Sequence, residues 1–87
     1  MIGLGTGGRV YLACGATDMG KGIAGLSAVA QDVLLQKPAS GAVFAFHGRK
    51  GDRLKLLYLD GQGFCLYYKV LERGRIPWPN TEPGWRD

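Results

Sequence analysis

The sequence predicts an α+β domain of order β-α-β-β-β, a mostly antiparallel sheet carrying one amphipathic helix on one face. Three observations predict it. Apolar residues recur at three- and four-residue steps between Ile23 and Leu34, the spacing of one helical face. Three β-branched and aromatic runs of strand length follow, at 42–47, 53–59 and 64–71. The turns between those runs are a few residues long, which only antiparallel neighbours can use.

Each element has a local cause. Residues 1–8 are glycine-rich and are expected to form a flexible leader. Residues 9–79 are expected to form a single α+β domain, opened by the strand run RVYLAC at 9–14. Thr17 or Asp18 can cap the helix, since a short side-chain oxygen accepts from the unpaired N–H groups of the first turn. Met19 then anchors that turn. Ile23, Leu26, Val29, Ala30, Val33 and Leu34 make the apolar stripe. Gly22 and Gly25 weaken its first turns by about 1 kcal/mol each relative to alanine. Lys37-Pro38 ends the helix, because the residue before proline is pushed out of helical geometry. Gly48 to Asp52 turns between strands, and Asp60-Gly61-Gln62-Gly63 forms a second turn whose two glycines are free to take positive φ. After Arg75 the proline-rich IPWPNTEP has no periodicity. Ile76 to Trp78 suits a sheet edge, and 80–87 reads as an irregular tail. The runs 56–59 and 64–68 are apolar at successive positions, so both faces of the sheet want cover and one helix covers one.

Composition narrows the function. At 87 residues the chain has room for one domain. It shows no signal-peptide pattern and no apolar run near the ~20 residues of a membrane span, so a cytoplasmic protein without a membrane partner is expected. Cys14 and Cys65 lie in apolar runs and read as small packed thiols. Two cysteines and one histidine fall short of a structural zinc site. The net charge of +4 is unevenly placed. Arg49, Lys50, Arg53, Lys55, Lys69, Arg73 and Arg75 share a segment with Asp52, Asp60 and Glu72, and that segment alone carries +4. In a meander, the 48–52 turn and the exit of the third run at 71–75 meet at one end of the sheet. Arginines and lysines on a rim with exposed glycine amides suit phosphate. Nucleic-acid contact is therefore assigned to Arg49, Lys50, Arg53, Lys69, Arg73 and Arg75, with Lys21 beside the helix start.

Catalytic patterns fail on their parts. Gly15 to Lys21 spells G-x-x-x-x-G-K, but Gly22 stands where a P-loop needs a Ser or Thr to hold Mg²⁺, and Asp18 would face phosphate. Gly3 to Gly8 spells G-x-G-x-x-G ahead of a strand, the reverse of a dinucleotide fingerprint. His47 stands beside a basic turn without a carboxylate partner, and the acids are scattered. The reading is a non-enzyme without a cofactor or metal.

The motifs Thr17-Asp18-Met19, Gly25-Leu26, Ser40-Gly41, Gly48-Arg49-Lys50-Gly51-Asp52, Asp60-Gly61-Gln62-Gly63-Phe64 and Leu71-Glu72-Arg73-Gly74-Arg75 span most of 9–79. Together they resemble the small TnpB-type (Orf-two-like) accessory proteins of the IS-sixty-six family of bacterial insertion sequences. The resemblance implies a non-catalytic role in transposition beside a larger transposase, with DNA contact through the basic rim. It leaves open an adaptor that docks on the transposase through the apolar sheet face, a homo-oligomer, or a truncated, non-functional copy. Relatives usually carry a basic residue where Gly20 stands and another where His47 stands. They also run longer, with a further strand and helix after the Trp78-Pro79 dipeptide.

Overall fold

The computed structural model describes residues 9–36, 42–59, 62–79 and 81–86. The expected leader, the Lys37-Pro38 stop and the first half of the 60–63 turn lie outside the described residues. The elements are β1 (Val10–Ala13), α1 (Ile23–Gln36), β2 (Val43–His47), β3 (Arg53–Leu59), β4 (Phe64–Val70) and β5 (Trp85–Arg86). They build one five-stranded sheet of order β4-β3-β2-β1-β5. The expected α+β arrangement stands: one helix lies on a sheet whose pairings are antiparallel except between β1 and β2.

That one parallel pair explains the helix. Parallel neighbours need a crossover, and α1 is the crossover. It seats Leu26 and Ala30, both fully buried, against Tyr11, Ala13, Phe44, Phe46 and Leu57. Val33 and Leu34 pack at the margin of this core, while Ile23 and Val29 are exposed at 41% and 39%, so the buried stripe is narrower than the periodicity suggests. Phe44 stacks on Tyr11 at 5.3 Å between ring centroids. The Tyr11 hydroxyl is buried without a hydrogen-bond partner.

The helix start differs from expectation. It begins at Ile23, and the Gly22 carbonyl accepts its first bond, from the Leu26 amide at 2.9 Å. Thr17 and Asp18 do not cap it, because both lie several residues ahead of Ile23 in a loop held by other bonds. The Thr17 amide donates to His47 O at 2.8 Å, and Asp18 Oδ1 accepts from the Gly20 amide at 2.8 Å in a tight side-chain turn. Met19 belongs to that preceding turn and reaches the core from there.

The tail is also corrected. Trp85 and Arg86 form the edge strand β5, antiparallel to β1. Placing β2 on one side of β1 leaves the other side open. Trp85 fills it, presenting its ring edge-on to Phe44 and Phe46 at 5.6 and 5.7 Å. Two residues are too few to register as a strand in a sequence. Trp78 closes the same region: its Nε1 donates to Ala13 O at 3.0 Å and its ring lies 4.5 Å from that of His47. Gly63 does not adopt a left-handed conformation; among the described residues Gly51, Gly74 and Gly84 do.

These contacts set expected stabilities. Leu26→Ala opens a cavity under the helix and costs about 2–5 kcal/mol in urea unfolding. Tyr11→Phe deletes an unpartnered buried hydroxyl and is expected to leave stability unchanged or to raise it. A clear loss in Tyr11→Phe would contradict the packing described.

A candidate cationic interface at one end of the sheet

The 48–52 turn is the hub of this end. Gly51 takes φ +77, a left-handed angle that closes the turn with its amide on Gly48 O at 3.1 Å. Arg49 and Lys50 stand exposed at the tip. The segment leaving β4 returns to the same turn. The Leu71 amide donates to Asp52 O at 2.8 Å, and the Ile76 amide donates to Gly51 O at 2.7 Å. Between them Gly74, at φ +80, reverses the chain and leaves Arg73 and Arg75 exposed. The Arg75 stem lies over Gly51, where a Cβ would be in van der Waals contact with it, 3.4 Å from Arg75 Cδ. The two basic segments are thus hydrogen-bonded to each other through their backbones.

The loop between β1 and α1 forms the other wall. Its Thr17 amide is tied to the end of β2, and Met19 lies against Gly48. Ala16, Thr17, Asp18 and Met19 face Gly48, Arg49, Lys50, Asp52 and Arg53 across an open cleft of about 550 Å³. Arg53 is held on this side, donating from a guanidinium nitrogen to the Tyr68 hydroxyl at 3.1 Å with Asp52 Oδ1 at 3.9 Å from its Nε.

Not every predicted residue joins this cluster. Arg49, Lys50 and Arg53 line the cleft, and Arg75 touches the turn. Arg73 is on the exit segment beside it. Lys69 is exposed but pairs with Leu54 and so faces the opposite side of the sheet from Arg53. Lys21 is half-buried, its stem lying along Gly25 on the first turn of α1. Lys55, part of the basic segment by sequence, is enclosed by the fold. It is 7% exposed, donates from Nζ to Lys21 O at 2.9 Å and lies 4.7 Å from the Tyr68 ring centroid. It serves as a strut that fixes the loop before the helix. Sequence reasoning missed that role, since nothing in RLKLLYL tells which face of β3 meets the helix.

The same loop disposes of the P-loop spelling. The amides of Thr17, Gly20 and Lys21 are already used by His47 O, Asp18 Oδ1 and Asp18 O. No cradle of unpaired amides is left at these three positions for phosphate. His47 is buried at the end of β2, with Nε2 2.8 Å from Cys14 O. It ties β2 to β1, and its ring nitrogens lie against the backbone carbonyls of Gly48 and Cys14. Among the described residues no group of His, Cys, Asp and Glu side chains could hold a metal ion, and no helix is long and apolar enough to cross a membrane.

The architecture is that of a small α+β protein with a cluster of exposed cations at one end of its sheet. Comparison with known sequences identifies its kin. The family model described as IS66 Orf2 like protein matches residues 8–85, so the chain belongs to that family, the accessory proteins of IS66 insertion sequences, which is not a known catalytic family. Two relatives from Sinorhizobium fredii are described as uncharacterized proteins y4hO and y4jC. They are 45% and 37% identical to this chain over 97% of its length, and the alignments span 73% and 72% of their own. No solved structure matches significantly.

Gly51 offers a direct check on the rim. Gly51→Ala forces a side chain onto a left-handed backbone, although Arg75 leaves room for it, and is expected to cost about 1–2 kcal/mol. Gly63→Ala meets nothing within 4 Å and is expected to stay within about 0.5 kcal/mol of the parent. Urea midpoints measure both, and equal midpoints for the two variants would refute the left-handed turn at Gly51.

Proposed function

We propose that this protein assists transposition by gripping the DNA backbone with the cationic end of its sheet. One observation carries the reading: the 48–52 turn and the 71–76 exit are hydrogen-bonded together, which presents Arg49, Lys50, Arg73 and Arg75 from one rigid end. Cations on a tied backbone bind phosphate with less ordering cost than cations on loose loops. Arg53 adds to the cleft wall, whereas Lys69 serves the other face and Lys21 borders the helix start. The cleft's Asp18 and Asp52 disfavour a free anion buried deep within it and leave the outer guanidinium and ammonium groups to meet phosphate. Such a surface reads charge and shape rather than base sequence.

A second reading rests on the helix-free face. Val10 and Tyr67 are exposed there at 46% and 43%, beside half-buried Leu12, Leu54, Leu56 and Tyr58. That face suits docking on the transposase of the same element.

Salt separates the two. Binding to duplex DNA is expected to weaken steeply with salt. Neutralising Arg49, Lys50, Arg73 and Arg75 together should flatten the log–log slope by about 0.9 for each phosphate that no longer meets a cation. An unchanged slope, or no binding at low salt, would sink the DNA reading. Retention of the transposase at high salt would instead support docking through the apolar face, since salt screens ion pairs but leaves apolar burial intact.

A further inference from the structure

Among the described residues the sheet ends on one side in β4, which pairs there with β3 alone. The bond from the Leu71 amide to Asp52 O fixes the phase of that pairing. Hydrogen-bonded and non-bonded pairs alternate in an antiparallel ladder. Leu54/Lys69, Leu56/Tyr67 and Tyr58/Cys65 therefore exchange bonds, while Phe64, Leu66, Tyr68 and Val70 turn their backbone groups outward. Residues 67–70 are all exposed, with Tyr67, Tyr68 and Val70 at 43%, 46% and 49%. Protected edges are short, charged, bulged or broken by proline. β4 has seven residues, FCLYYKV, with one charge and no proline.

We propose that two copies of this chain join along β4, antiparallel, about a two-fold axis through Tyr67, fusing their sheets into one. The outward groups decide the register. Centring the axis on Tyr67 sets Leu66 against the partner's Tyr68 and Phe64 against the partner's Val70, so every outward amide meets an outward carbonyl. The same register is right for the side chains. Lys69 falls opposite the partner's Cys65 rather than opposite the partner's Lys69, so the strand's single charge does not repel its own copy. Tyr67 falls opposite the partner's Tyr67 in a non-hydrogen-bonded pair, where side chains approach most closely and an aromatic pair is favourable. A second copy is thus complementary to this edge in backbone, charge and shape. The two helices end on the same side of the joined sheet, and the two cationic ends point in opposite directions. The proposal stands independently of DNA contact.

Sedimentation of the intact chain is expected to show a concentration-dependent dimer. Tyr67→Lys sets two like charges on the axis and removes the aromatic pair, and should raise the dimer dissociation constant by about tenfold or more. Tyr67→Phe should leave it nearly unchanged. Far-UV circular dichroism confirms that both variants keep the fold. Tyr67→Cys supplies the gain of signal. Opposed non-bonded residues lie about 4.5 Å apart at Cα, within disulfide range, so mild oxidation should yield a covalent dimer faster than in the parent, whose own cysteines are Cys14 and Cys65. A monomer at ~100 μM, far above a micromolar dissociation constant, overturns the proposal. So does a dimer that survives Tyr67→Lys while Tyr67→Cys cross-links no faster than the parent, since that dimer uses another surface.

Discussion

Burial of β2 is the constraint on which the rest of this structure depends. All five of its residues, Val43 to His47, are buried, and Phe44 and Phe46 are wholly inaccessible. A strand buried on both faces and both edges needs neighbours on every side. β1 and β3 satisfy its backbone. Leu26 and Ala30 of α1 cover the phenylalanines, and Trp85 closes their flank. His47, at its end, recruits Cys14 O and the Trp78 ring. Each remaining element can be placed by asking which side of β2 it serves.

The cationic end of the sheet is positioned by the same strand. β2 delivers its chain directly into the 48–52 turn, so the charged tip inherits the rigidity of the most buried element. His47 O anchors the loop before α1, and Gly51 O and Asp52 O anchor the exit of β4. Side chains exposed to solvent are thereby set on a backbone with few alternatives. The DNA contact proposed above needs such a backbone, since a tied backbone leaves fewer arrangements to order on binding. Membership in an insertion-sequence accessory family is consistent with such a surface.

Lys55 shows how close buried and exposed charge can lie. It follows Arg53 by two residues, on the same side of β3, yet Arg53 reaches solvent at the cleft while Lys55 is enclosed under the helix start. Both use Tyr68, one through its hydroxyl and one through its ring. Counting basic residues in a segment therefore overstates the charge offered to a partner. Burial decides which cations remain accessible.

The sequence by itself determined the periodic elements: the helix by its three- and four-residue steps, the meander by its short turns, and the clustering of charge by plain position. These are local properties, fixed by side-chain spacing and turn length. Only the tertiary structure decided what depends on distant partners. It placed β1 beside β2 in parallel, which required α1 as the crossover. It moved the helix start to Ile23, because the loop carrying Thr17 and Asp18 is tied to the end of β2 and turned on itself, and it made a strand of Trp85-Arg86 because β1 had an open edge. It sent Lys69 to the far face and Lys55 inside, because strand register, invisible in a single apolar run, assigns each residue its side.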